Sequence, residues 1–223
     1  GKAGPHLMLA GLTHGNELCG AIALDWLLRR GVRPLTGRLT LAFMNVEAYA
    51  RFDRENPRAS RCVDEDFNRV WSPEVLDGAR DSLELRRARA LRPLVDRVDA
   101  LLDIHSMQHA TPPLMLCGLT GKARELALSL GTPAHLMCDA GHAAGRRLRD
   151  YGGFGDAASA KNALLIECGQ HWAQSSATVA IDAALRFLLH FGAIDAAFAA
   201  PHLMPLPAAP RVVAGAFVSF ISS

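Results

Sequence analysis

A histidine and a glutamate three residues apart, in Thr13-His14-Gly15-Asn16-Glu17, form the first pair of side chains along the chain that could act together. On a tight turn entering a helix, that spacing puts an imidazole and a carboxylate on one side. Gly15 would let the backbone pass close to whatever they bind. A second histidine closes Asp103-Ile104-His105-Ser106. Two histidines and one glutamate are a known catalytic zinc set, which leaves a fourth position open for water. Asp103 could orient a ligand from behind, although its side chain is expected to turn away from His105. Taken singly, each fragment also has a bland reading. Asn16 or Thr13 would cap a helix with Glu17 in its first turn, and His105 would be a polar strand end.

Two further clusters carry reactive groups. Glu167 ends the apolar run Leu164-Leu165-Ile166, and an ionised carboxylate is costly to bury without a partner or a role. Beside a metal-bound water it would serve as general base; a salt bridge to Arg69 would make it merely structural. Cys168 and His171 offer a rival pair of nucleophile and base, but no orienting third group is evident. The segment Arg61-Cys62-Val63-Asp64-Glu65-Asp66-Phe67-Asn68-Arg69 holds two arginines suited to binding carboxylates in planar, bidentate fashion, with Asn68 adding neutral hydrogen bonds. Phe67, Val70 and Trp71 should pin this otherwise polar loop to a core.

These residues need a frame. Strands are expected at His6–Ala10, Leu39–Met44, Ala100–Ile104, Ala134–Met137 and Ala163–Glu167. Helical spacing runs through Asn16–Arg30, Pro73 to about Leu94, Gly121–Leu130 and Ala173–Phe191, with Gly31 and Gly192 as stops. Strands alternating with helices imply a mostly parallel sheet covered on both faces, an α/β fold. In such sheets ligands bind beyond the carboxyl ends of the strands, where all four clusters stand. Residues 1–200 are expected to form the catalytic domain. Residues 201–223 read as a Pro- and Ala-rich linker and the start of a β-rich region that is truncated or absent. The abrupt start at Gly1–Pro5 points to a missing N-terminal segment.

Composition narrows the classes. Of 223 residues half are hydrophobic, and 24 Lys and Arg against 22 Asp and Glu leave a net charge of +2. That balance excludes global disorder and gives no reason to expect nucleic acid or an anionic membrane as partner. No apolar run approaches the roughly 20 residues of a membrane span. Five scattered cysteines without a CxxC pair argue for free thiols in a reducing compartment, hence a cytoplasmic protein.

Together, and in this order, the clusters resemble the succinylglutamate desuccinylase and aspartoacylase family, a branch of the zinc carboxypeptidase superfamily. The matching pieces are Thr13–Glu17, Asn45-Val46-Glu47-Ala48-Tyr49, Val63–Arg69, Asp103–Ser106 and Ile166-Glu167-Cys168-Gly169, and the likeness covers residues 6–190. It implies a mixed, mostly parallel sheet flanked by helices, often followed by a smaller β-rich domain. It implies that His14, Glu17 and His105 bind one zinc ion, that Glu167 is the general base, that Arg61 polarises the scissile carbonyl, and that Asn68 and Arg69 bind the substrate carboxylate. The implied reaction is hydrolysis of a small N-acyl amino acid to a carboxylic acid and a free amino acid; a homo-oligomer is compatible with it. The alternatives are a metallocarboxypeptidase acting on small peptides, a zinc-binding protein without turnover, and a thiol hydrolase using Cys168. The chain departs from the family at Ala157, ten residues before Glu167, where aspartoacylase-type members carry an arginine. Arg146, Arg147, Arg149 or Lys161 could substitute. The Glu167-Cys168-Gly169-Gln170 run also lacks the proline of the Glu-x-Gly-Pro form.

Overall fold

The computed structural model describes residues 2–209 and 211–214. In chain order the strands are β1 (Lys2–Gly11), β2 (Thr36–Phe43), β3 (Ala100–Met107), β4 (Leu114–Cys117), β5 (His135–Cys138), β6 (Asn162–Gln170) and β7 (Arg211–Ala214). The helices are α1 (Leu18–Arg29), α2 (Val46–Tyr49), α3 (Pro73–Leu76), α4 (Leu83–Val95), α5 (Gly121–Leu130), α6 (Gln174–His190) and α7 (Ala196–Ala199). The strands form one seven-stranded sheet in the order β2-β1-β3-β6-β4-β5-β7. All neighbours are parallel except β4 and β6, which run antiparallel.

Alternation along β1 sets the two layers. Leu7 and Leu9 face the larger core with α1, α5 and α6, while Met8 and Ala10 face a second core with Phe67, Trp71, Leu85 and Leu148. Both faces are covered, which is why the central strands read as continuous apolar runs. Helix α1 uses only part of the apolar stripe its sequence suggests, burying Leu24 and Leu27. Ile22 and Leu28 are exposed, whereas Cys19, Gly20 and Ala23 are buried. A Cβ on Gly20 would lie 2.9 Å from the Gly11 Cα, so small residues let the helix sit close on β1.

Three expectations change. The single helix from Pro73 to Leu94 is two, broken at residues 77–82, because the Ser82 Oγ accepts from the Leu85 N–H and starts a new helix. Strand β4 is additional. The β-rich continuation after the linker does contain a strand, but β7 joins the main sheet beside β5; residues 215–223 lie outside the described ones. Among the described residues no helix is long and apolar enough to cross a membrane.

Candidate metal centre and acyl-transfer site

The turn after β1 is built for close approach. Leu12 takes a left-handed backbone, φ +58°, although it is not glycine, and this swings the chain out of the sheet. Gly15 then passes against another part of the chain rather than a ligand. A Cβ there would stand 2.4 Å from the Ala48 carbonyl carbon and from the Ser60 oxygen, and the Gly15 N–H donates to the Arg61 carbonyl at 3.0 Å. Glu17 occupies the cap position of α1 rather than its first turn, and its carboxylate caps nothing. It is free to face His14 and His105.

Those three side chains converge. His14 Nδ1 is 2.7 Å from Glu17 Oε1, and His105 Nδ1 is 2.9 Å from Glu17 Oε2. Ligand atoms from all three lie within 4.8 Å of one another, and all three residues are buried. Each imidazole turns its other nitrogen to a carboxylate. His14 Nε2 lies 2.9 Å from Asp66 Oδ1, and His105 Nε2 lies 2.8 Å from Asp103 Oδ2. Asp103 therefore does not turn away from His105, because residues two apart on a strand share a face. Thr13 Oγ1 holds it from the other side with a 2.8 Å hydrogen bond. Carboxylates behind imidazoles fix ring orientation and leave the opposite nitrogen as the basic ligand atom. Two nitrogens and a carboxylate oxygen at this spacing fit a divalent transition metal.

The electrostatics follow from burial and charge. Burial alone would raise Glu17, but His14 and His105 outweigh it and hold its carboxyl well below the usual range. Burial would lower His105; Asp103 and Glu17 reverse this and raise it well above an ordinary histidine. Glu167 behaves oppositely. It is the register partner of His105 across β3 and β6, on the face away from the larger core. Burial and the nearby Glu17 carboxylate push it well up, and its Oε2 is buried without a hydrogen-bond partner. The salt bridge to Arg69 that would make it merely structural is not formed among the described residues.

The 61–69 loop closes over this centre. Arg61 donates to Glu17 Oε1 at 3.2 Å and to Asp66 Oδ2 at 3.1 Å. Buried Glu84 holds the loop by accepting the N–H groups of Val63, Asp64 and Glu65, and the Asn45 amide. The Asn68 amide oxygen accepts from the Leu148 N–H at 2.8 Å. Arg69 lies 3.9 Å from Asp66 Oδ2.

Asp66, to which the sequence assigns no role, joins the centre. It accepts from the Asn68 N–H while meeting His14 and Arg61. The available signal was its place two residues before Asn68, where an aspartate folds the backbone onto itself. Of the basic residues proposed to replace the absent arginine, three are occupied elsewhere. Arg147 and Arg149 bind buried Asp139, and Lys161 donates to the carbonyls of Asp96 and Val98. Cys168 is not poised as a nucleophile. It faces the larger core, 1% exposed, and burial and Cys19 push its thiol well up. His171 instead bonds Ser106 Oγ at 2.9 Å.

Several solved structures share the fold. The product-bound ectoine utilization protein EutE (DoeB) from Ruegeria pomeroyi superposes with a TM-score of 0.68 at 17% identity, over 96% of this chain and 62% of that one. A succinylglutamate desuccinylase/aspartoacylase from Rhodobacter sphaeroides gives 0.68 at 19%, over 96% and 63%. Murine aminoacylase 3 gives 0.61 at 22%, over 85% and 66%. The chain thus spans less than two thirds of the length of these structures. No match was found among curated proteins. The succinylglutamate desuccinylase/aspartoacylase catalytic domain matches residues 3–190, and the chain belongs to that family.

Proposed function

We propose that this chain is the catalytic part of a zinc-dependent deacylase that hydrolyses the amide bond of a small N-acyl amino acid. The observation that supports it most is the gathering of His14, Glu17 and His105 within 4.8 Å, with Glu167 in register beside His105. His14, Glu17 and His105 would hold the zinc ion, which when bound would supply Lewis acidity to the scissile carbonyl. The chain's own groups do the rest. Glu167, raised by burial, takes a proton from the attacking water and returns it to the leaving amine. Arg61 faces the carbonyl oxygen as negative charge builds on it. Asn68 and Arg69 hold the substrate carboxylate. Asp66 and Asp103 keep the two imidazoles aimed. Small acyl amino acids suit the names of the relatives, a desuccinylase and an aminoacylase. Five free thiols suit a reducing compartment, and we place the enzyme in the cytoplasm.

The test is metal analysis joined to a screen of N-acyl amino acids and short peptides. One zinc per chain is expected, with amino-acid release that a chelator stops and a thiol alkylator spares. Hydrolysis at full rate in the metal-free protein would overturn the reading, and faster cleavage of peptides would favour the carboxypeptidase alternative.

A further inference from the structure

Away from the Glu17 centre, two thiols meet at the far side of the sheet. Cys117 closes β4, Cys138 closes β5, and the two are register partners in a parallel pairing. Register partners point to the same face, and neighbouring strands lie about 4.7–4.9 Å apart. That falls within the roughly 4.4–6.8 Å between Cα atoms that a disulfide spans. The two sulfurs are already 3.1 Å apart, and both cysteines are free. Cys138 is partly buried and Cys117 is fully buried. The other neighbouring pair, Cys19 and Cys168, is 1% exposed at each residue. Cys62 is the remaining cysteine.

We propose that Cys117 and Cys138 are a reversible thiol–disulfide site that closes on meeting a small disulfide of the glutathione type. The Cys138 sulfur, after losing its proton, attacks one sulfur of the small disulfide. The S–S bond of the reagent breaks and one small thiol leaves. The Cys117 sulfur, losing its proton in turn, attacks Cys138 Sγ and expels the second small thiol. Both protein protons end on the two small thiols. The protein is oxidised by two electrons and the reagent is reduced by two. Burial and contact with Cys138 push the Cys117 thiol up to about 12, in keeping with its acting second, after Cys138 has been capped. The bond would tie the strand ends beside Asp139, whose N–H donates to the Cys117 carbonyl at 3.2 Å.

The experiment equilibrates the full chain with reduced and oxidised glutathione at graded ratios, quenches with acid and an alkylator, and reads intact mass and peptide maps. The expected product has lost two hydrogens, carries a Cys117–Cys138 linked peptide, and returns to the starting mass with dithiothreitol. Cys117→Ser should instead hold a lasting glutathione adduct on Cys138. Intact mass of the wild type decides the matter even if that variant folds poorly. A wild type that keeps both hydrogens at every ratio, or that stops at a stable glutathione adduct, would overturn the proposal.

Discussion

Two buried charge clusters sit in this molecule, and they are built on different principles. Around Glu17, four acids (Glu17, Asp66, Asp103, Glu167) share two arginines (Arg61, Arg69) and two histidines. Around Asp139, two acids (Asp139, Asp150) meet two arginines (Arg147, Arg149). The second cluster balances its own charge. In the first, two of the four basic partners are imidazoles, which must give up their protons before they can hold a cation. Its donors also aim at one point, whereas those around Asp139 pair off. Convergent imidazole and carboxylate donors suit a cation, and guanidinium groups paired off with carboxylates make a structural tie.

The largest expected effect tests the chemistry on one side of that contrast. Glu167→Gln should lower turnover of an N-acyl amino acid by about 10²–10⁴-fold while zinc content stays at one per chain. Steady-state kinetics beside metal analysis would show it, and unchanged turnover would remove Glu167 as the base. Next comes the opposite cluster. Asp139→Asn removes the carboxylate that buried Arg147 and Arg149 share, and should cost about 3–5 kcal/mol in urea unfolding. The folded fraction should bind zinc as before; loss of zinc affinity with intact stability would erase the distinction. Asp103→Asn should do the reverse, weakening zinc by roughly 10–100-fold in competition with a chelator, with little change in unfolding.

The smallest effect concerns the loop that covers the metal centre. Burial would raise the Glu84 carboxyl, but the N–H groups of Val63 and Asp64 and the Asn45 amide outweigh it and hold it below its ordinary 4.5. A carboxyl lowered by folding stabilises the native state above its unfolded value and loses that contribution as pH falls through its folded one. Acid should therefore loosen the loop below about pH 4.5 in the wild type. Glu84→Gln should be less stable at neutral pH and show a flatter stability profile below that point. Identical profiles from pH-dependent unfolding would show that Glu84 does not anchor the loop.

Much of the site was legible because its signals are local. His14 and Glu17 share one turn, His105 stands near the carboxyl end of its strand, and Glu167 follows an apolar run that only a buried strand explains. The roles expected of Arg61, Asn68 and Arg69 rest on the family resemblance. What stayed hidden depended on partners distant in sequence. The hub role of Asp66 appears only when its loop folds onto His14. Strand β4 has four residues, too few to show a period, and is defined by its neighbours β5 and β6. Helix α4 contains Pro93, yet survives because the proline falls in its last turn. Residues 77–82 break a pattern that sequence spacing alone carried straight through.

The ladder between β3 and β6 sets Glu167 level with His105. Side chains on a strand alternate between its faces, so deleting a single residue from 162–166 would bring Cys168 to that level and turn the carboxyl into the apolar layer. The covering loops answer to no such rule. Insertions there would leave Glu167 level with His105. Under the proposed function, changes of length in the loops would leave the base in place, whereas the shortest possible change of length in one strand would remove it.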